Sequence, residues 1–528
     1  MAVLTSEFAA QRGGDIALID ETGETSWAAL DARVNRLVNG LRAQGLVAGD
    51  TLVVVAGNGR PWFEVALACA HGGWTYVPAN WHFVADELAY LIEDAGAVCV
   101  VADGRFAAAT ASALADPRAR AVRTVVGIGE AAGGGVSALA DDPRFVDYER
   151  LIGGASAEEP VDQRLGGPMF YTSGTTGRPK GVRGMLSGNT QMGPEIIKMA
   201  AAGVAGMMAA DGRTLLCGPF YHSAQWAFTF LPLVAGVSVV MRHKFDAAEI
   251  LAVIDAHAVT NIHLVPTQMK RLLDVPAASR AGFSGASLTG VWHGAAPCPP
   301  GVKRALIDWF GPRISEYYGS TEGSIISTIT ADEWLAKGGS VGRPSPMVEV
   351  LVVDDEGHAV PSGDEGTLYF RNLMGTDFVY HNDADKTAAA HLAPGVFTTG
   401  DVGRIDEDGY LWLTDRKIDM IISGGVNIYP AEIEGVLHLH PAVVDVAVIG
   451  VPDEEFGENV KGIVQLRDGV TGDAALAAEL RAYCQETLAR YKVPKSFDFV
   501  EIIPRSEAGK ILKAPLRAPY WAGRDRKI

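Results

Sequence analysis

The chain has 528 residues, 48% of them apolar and 20% charged, with a formal net charge of −18. Those figures indicate an ordinary globular protein of two or more domains, long enough to bury a large core. The acidic excess argues against nonspecific nucleic-acid binding, which needs a basic footprint, and means that any anionic ligand must be held by local positive groups.

In chain order, residues 1–14 lack a basic start followed by an apolar stretch, so no signal peptide is expected. Leu30, Val34, Leu37, Val38 and Leu41 recur at helical spacing, with Ser26 as a cap and Gly45 as a stop. Residues 51–56 read as a buried strand, followed by a helix and a strand around Tyr76-Val77. Residues 129–137 are glycine-rich and 152–160 form a polar connector. Gly127-Ile128-Gly129 does not complete a dinucleotide fingerprint, because the third glycine comes one place late and no helix pattern opens there. The bland apolar run 199–210 is too short and too rich in glycine and alanine to span a bilayer, so no integral membrane segment is expected. Asp246 and Glu249 open a helix in the manner of a capping box, and a strand through Ile262-His263-Leu264-Val265 follows. The alternation of strands and helices predicts α/β layers with a largely parallel sheet. Further on, Gly409-Tyr410-Leu411-Trp412-Leu413 reads as a strand, and a domain boundary falls near 415–419. Pro430 suits the first turn of a helix carrying Glu432 and Glu434, Val443 to Ile449 read as a strand, and 473–489 as a helix. Residues 419–528 suffice for a small α+β domain. The five cysteines, Cys69, Cys99, Cys217, Cys298 and Cys484, are scattered without a C-x-x-C, which points to free thiols in a reducing cytoplasm.

The chemistry concentrates first in Tyr171-Thr172-Ser173-Gly174-Thr175-Thr176-Gly177-Arg178-Pro179-Lys180-Gly181-Val182. Four hydroxyls, two glycines and a lysine between positions 172 and 180 suit a polyphosphate. Hydroxyls and exposed N–H groups donate to phosphate oxygens, glycines let the backbone approach, and lysine adds a point charge. It is not a Walker A loop, since Lys180 follows a proline and precedes Gly181.

This loop resembles the phosphate loop of the adenylate-forming superfamily: acyl-CoA synthetases, nonribosomal adenylation domains and firefly-type luciferases. Further stretches match in the family's order: Gly218-Pro219-Phe220-Tyr221-His222-Ser223, His293-Gly294-Ala295-Ala296-Pro297, Tyr318-Gly319-Ser320-Thr321-Glu322, Thr399-Gly400-Asp401, Asp415-Arg416 running to Glu432-Ile433-Glu434, and Gly509-Lys510-Ile511-Leu512. The N-terminal third matches more loosely, through Asn58 and Val77-Pro78-Ala79-Asn80. The resemblance implies a large N-terminal domain of layered α/β subdomains over 1–415 and a small mobile α+β domain over 416–528. It implies that ATP and an organic acid form an acyl-AMP, which a thiol then attacks. Thr172, Ser173, Gly174, Thr175, Thr176, Gly177 and Lys180 would hold the β- and γ-phosphates, Glu322 would bind Mg²⁺, and Thr321 would donate to the α-phosphate. Tyr318, with Gly319 and Ser320 beside it, would stack on the adenine, and Gly294, Ala295 and Ala296 would lie on its other face. Asp401 and Arg416 would take the ribose, and Lys510 would reach the acyl carboxylate and the bridging oxygen. His222, Trp226, Trp292, His293, Gly294 and Gly319 would line the acyl pocket, and Ser423, Gly424 and Gly425 the coenzyme A tunnel. The hinge would lie at Lys417 and Ile418; family hinges often carry Asp or Lys at the second of these places, and here it is isoleucine.

The stretch from His222 to Phe230 holds no acidic residue to pair with a substrate ammonium, so an amino acid is not expected. Its aromatics suit an apolar acid, fatty, alicyclic, aromatic or steroid-like, although Trp226, Phe228 and Phe230 read equally well as core. His222 could gate the pocket or be a buried, satisfied histidine, and His293 could be pocket wall or core. Gly294, Ala295 and Ala296 could leave room for a bulky acyl group. Eighteen residues follow Lys510 and no carrier domain is among them, so coenzyme A is the expected acceptor. The alternatives are transfer to a separate carrier protein, a luciferase-like oxidation, or a nucleotide-binding sensor without turnover; a homodimer is left open.

Overall fold

The computed structural model describes residues 4–129, 135–172, 179–187, 195–209, 211–354, 356–416, 419–423, 426–453, 456–506 and 510–522. The chain packs as two compact units: Met1–Leu264, Val275–Trp292 and Thr376–Ala389 make the first, and Val265–Asp274, His293–Gly375 and Ala390–Ile528 the second.

The first unit is built on parallel sheet. Six strands run in the order Phe145–Asp147, Thr124–Ile128, Cys99–Asp103, Thr51–Val55, Thr75–Pro78 and Gly167–Pro168, all parallel. Thr51–Val55 and Cys99–Asp103 are buried along their whole length, as strands covered on both faces must be. A second sheet begins with the antiparallel hairpin Gly23–Ser26 and Ile16–Asp20 and continues in parallel through Ser238–Met241, Arg213–Leu216 and Asn261–Leu264. The expected helix is Trp27–Ala43, capped by the Ser26 side chain accepting from the Ala29 N–H. Gly45 follows at φ +88°, a conformation that only glycine adopts cheaply. Asp246 caps Ala247–Ala256 through the Glu249 N–H, while the Glu249 carboxylate turns to Arg242, so the cap forms with half of the expected box. The connector 152–160 is strapped down: Arg36 and Asn39 donate to the carbonyls of Ala155, Ser156 and Glu158.

The second unit is largely antiparallel, with Gly457–Leu466 and Ser496–Val500 its parallel pair among those described, which the early alternation did not foretell. Its strands run Ile314–Ser320, Ser324–Thr330, Ser340–Pro344, Leu411–Arg416, Asp401–Ile405, Gly366–Asn372, Val396–Phe397 and His391–Ala393. The strand expected to begin at Gly409 begins at Leu411, because Asp406 accepts from the Asp408 and Tyr410 N–H groups and Gly409, at φ +82°, completes a turn. Beyond it Val443–Asp453 and Gly457–Leu466 form a long hairpin. Val446 and Val448 face a core made with the helices Pro430–Leu437 and Ala474–Thr487, while Ala447 and Ile449 face Leu516 and Tyr520 of Lys513–Trp521. Alternate burial on both faces is what a sheet covered by helices requires. Pro430 stands in the first turn of its helix, and Asp473 caps Ala474–Thr487. No helix among the described residues is long and apolar enough to cross a membrane.

Candidate active site

The stretch expected to hold phosphate is flanked by two strands of a ribbon. Phe170–Thr172 and Lys180–Arg183 pair antiparallel, with Thr172 directly opposite Lys180, and Val379–Tyr380 pairs on the far edge. Ser173, Gly174, Thr175, Thr176 and Gly177 lie outside the described residues. Lys180 Nζ is 2.5 Å from Asp383 Oδ2, and Asp383 Oδ1 accepts from the Lys386 N–H at the start of Ala384–Ala390. That bond holds the lysine pKa above its usual value and the aspartate below its own. The ribbon is braced from beneath. The Tyr171 hydroxyl donates to Asp94 Oδ2 at 2.6 Å, the Tyr90 hydroxyl to the Pro179 carbonyl at 3.1 Å, and Arg183 Nε to His381 Nδ1. Asp383 carries no signal in the sequence reading, since it stands 203 residues from its partner.

The Tyr-Gly-Ser-Thr-Glu motif forms the end of the hairpin between Ile314–Ser320 and Ser324–Thr330. The register shifts between Tyr318 and Gly319. A β-carbon on Gly319 would lie 2.0 Å from the Ser324 carbonyl oxygen, so only glycine fits. Ser324 itself sits at φ +56°, and Gly323 N–H donates to Ser320 Oγ across the turn that presents Thr321 and Glu322, both half-buried. A bulge of this kind re-aims side chains at a sheet rim. The Tyr318 hydroxyl donates to Asp401 Oδ2 at 2.6 Å, and Thr399 Oγ1 donates to the same oxygen at 2.7 Å. Two motifs 83 residues apart in sequence thereby meet. Asp401 is 9% exposed, and its backbone lies opposite Arg416 across the sheet. The Arg416 side chain, like Lys417, Ile418, Gly424 and Gly425, falls outside the described residues.

Gly294 has a reason other than room for substrate. A β-carbon there would lie 2.5 Å from the Tyr317 ring and 2.7 Å from its carbonyl oxygen, so the space is already filled by protein. Ala295 is held at φ +68°, a strained conformation for a residue with a side chain and one that gathers at functional sites. His293 is fully buried, its Nε2 3.8 Å from Glu316 Oε2, and Glu316 is paired with Lys303 Nζ at 2.5 Å. Burial pushes the Glu316 carboxyl up and the Lys303 amine down, and each partner pulls the other back. The sequence reading passed over this pair. Cys298 is half-buried, and burial raises its thiol pKa, keeping it protonated and unreactive.

Trp226, Phe228 and Phe230 are all buried. The Trp226 indole N–H donates to the Tyr76 hydroxyl at 2.7 Å while its ring stacks on Phe230 at 5.1 Å and meets Phe170 edge-on. Trp292 donates to the Met207 carbonyl at 3.1 Å and lies 5.9 Å from Phe228. Both tryptophans thus have their polar edge satisfied in the interior. His222 is half-buried at the start of Ser223–Ala227, its ring 4.6 Å from Tyr221. Tyr221 meets Trp81 edge-on, and Trp81 stacks on Phe106. Asn58 fixes this segment by donating to the Gly218 and Arg242 carbonyls and accepting from the Phe220 N–H. Trp81 escaped the sequence reading although it follows the matched Val77-Pro78-Ala79-Asn80 directly.

Lys510 is exposed; its N–H donates to Ser506 Oγ and its carbonyl accepts from the Ser506 N–H at 2.7 Å. Arg505 and Ile511 pair as an antiparallel bridge beside it. Ser423 is half-buried at the end of Ile421–Ser423. Among the described residues no three His, Cys, Asp or Glu side chains gather in a way that could hold a metal ion. Glu322, half-buried at the hairpin turn, offers the oxygen donor that a hard cation takes.

The family model for AMP-binding enzymes matches residues 5–375, and that for the AMP-binding enzyme C-terminal domain matches 432–510. A feruloyl-CoA synthase of an Amycolatopsis species is 34% identical over 505 residues, 94% of this chain and 94% of that protein. An indoleacetate–CoA ligase of Aromatoleum aromaticum is 33% identical over 508 residues, 94% of this chain and 93% of that one. Among solved structures, the o-succinylbenzoate CoA synthetase of Bacillus subtilis in complex with its acyl-adenylate intermediate superposes with a TM-score of 0.79 at 27% identity, covering 100% of this chain and 99% of that chain.

Proposed function

Because the chain belongs to the AMP-binding enzyme family, we propose that it is an ATP-dependent acid–CoA ligase that joins an apolar carboxylic acid to AMP and then to coenzyme A. The observation that carries the nucleotide reading is the meeting of Tyr318 with Asp401: an aromatic ring and a carboxylate, delivered by separate motifs, stand as an adenine platform and a ribose acceptor would.

In the first half-reaction the acid's carboxylate attacks the α-phosphate and pyrophosphate leaves. Several anions must come together, so catalysis is mainly positioning and neutralisation. Thr172 and Lys180, with the hydroxyls between them, hold the β- and γ-phosphates. Lys180 must then give up or share Asp383. Magnesium, held by Glu322, would neutralise phosphate charge. Thr321 donates to the α-phosphate, and Lys510 meets the charge that develops on the carboxylate and bridging oxygen. Lys510 belongs to the part of the chain, 416–528, that moves between half-reactions, pivoting near Lys417 and Ile418. In the second half-reaction the thiol of coenzyme A attacks the acyl carbon along the face carrying Ser423, Gly424 and Gly425, and AMP leaves.

Support for an apolar acid comes from the absence of any acidic residue between His222 and Phe230, and from two relatives named for aryl acids. The test is a panel of carboxylic acids from C2 to steroid size with ATP, magnesium and coenzyme A. Pyrophosphate release is followed with and without the thiol, and the products are identified by mass. Acyl-CoA from an aryl or fatty acid is the expected result. No acyl-adenylate from any acid would overturn the reading, and adenylate without acyl-CoA would shift it to a carrier-protein acceptor.

A further inference from the structure

We infer that Tyr318 is a positioning residue for Asp401, and that its hydroxyl, apart from its ring, makes the site choose a ribonucleotide over a deoxyribonucleotide. This rests on the proposed role of Asp401 toward the ribose. The hydroxyls of Tyr318 and Thr399 converge on one oxygen, Asp401 Oδ2, at 2.6 and 2.7 Å. Asp401 is the first residue of its strand and follows Gly400 at φ +81°. Two donors on one oxygen set the plane of the carboxylate, and a fixed plane is what a pair of neighbouring sugar hydroxyls needs for two charge-assisted hydrogen bonds at once.

Tyr318 is itself well held. It pairs with Ser327 across the hairpin, its ring lies 6.0 Å from Phe370, and the register shift at Gly319 follows it directly. Stacking on a purine uses the face of the ring and needs no hydroxyl, so phenylalanine would stack as well. The hydroxyl therefore has separate work, and the bond to Asp401 identifies it.

The experiment compares kcat/KM for ATP, 2′-deoxyATP and 3′-deoxyATP in the wild-type enzyme, Tyr318→Phe and Thr399→Val, with melting temperatures measured alongside. In Tyr318→Phe the preference for ATP over each deoxy analogue is expected to fall about tenfold, the scale of one hydrogen bond to a charged group. Thr399→Val should move the preference in the same direction. If Tyr318→Phe lowers kcat/KM for all three nucleotides equally, the hydroxyl acts only through the fold and the inference is overturned. If the wild-type enzyme forms acyl-adenylate equally well from all three, the ribose role of Asp401 falls instead, and the inference with it.

Discussion

Replacing Lys303 with methionine removes one member of a buried ion pair and keeps most of its volume. The side chain is 1% exposed, its Nζ lies 2.5 Å from Glu316 Oε2, and it stands 4.7 Å above the Trp334 ring. Without it the Glu316 carboxylate stays inside the protein with its charge uncompensated. Breaking a buried pair from one side costs about 3–5 kcal/mol, whereas replacing both partners with apolar groups is often near neutral. For a unit of some two hundred residues that cost lowers the melting temperature by roughly 10 °C. The assay is thermal and urea unfolding of the wild type, Lys303→Met, Glu316→Leu and the double variant. The double variant should recover most of the loss, so that the costs of the two single variants do not add. The pH dependence supplies a second signature. Burial raises the Glu316 pKa even beside Lys303, and raises it further without it. A carboxyl raised in the fold is neutral there without penalty below its unfolded value, near 4.3, and costs stability as pH rises above that. The deficit of Lys303→Met should therefore shrink between pH 8 and pH 5. A Lys303→Met variant as stable as the double one, with no such pH trend, would show that the pair contributes nothing beyond packing.

Three further outcomes are expected. Lys510→Ala should abolish adenylation yet spare thioester formation from synthetic acyl-AMP; equal loss of both half-reactions would contradict a lysine used in one of them. Asp383→Asn keeps the acceptor for the Lys386 N–H but removes a negative charge that competes with phosphate for Lys180, so the KM for ATP should fall about threefold, and a rise would mean that Asp383 holds the lysine in place. His71 and His263 are buried and pulled down to about 3 by desolvation, and His71 Nε2 accepts from the Leu4 N–H, as a neutral ring does. A depressed folded value means that their contribution is complete above about pH 6.5 and lost as pH falls, because the unfolded chain then binds more protons. The slope from the pair approaches about 2.7 kcal/mol per pH unit, and urea midpoints that stay level from pH 7 to pH 5 would contradict it.

What the sequence made legible was local. Ser26 and Asp246 cap helices through the N–H three residues on, and Pro430 opens one, so each signal and its cause lie within a single turn. The motifs expected to form the site are likewise short runs, whose residue types suit phosphate, magnesium or sugar. The antiparallel pair Val348–Val353 and Gly366–Asn372 was not legible, because both strands are mostly half-buried and polar residues interrupt the apolar runs that betray a parallel sheet. Gly294 was misread as open space because Tyr317, which fills that space, is met only in the fold. Lys180 with Asp383, and Tyr318 with Asp401, are likewise pairs that no spacing rule connects. Lys303 differs from these. In Pro300–Phe310 the buried positions are Lys303, Leu306, Ile307 and Phe310, so the helical period puts the lysine squarely on the apolar stripe. A charge there cannot reach water and is tolerable only with an acid inside, and Glu316, the one acidic residue of the next strand, Ile314–Ser320, is the residue to expect. The pair could have been inferred from the sequence by treating a misplaced charge as evidence for its partner.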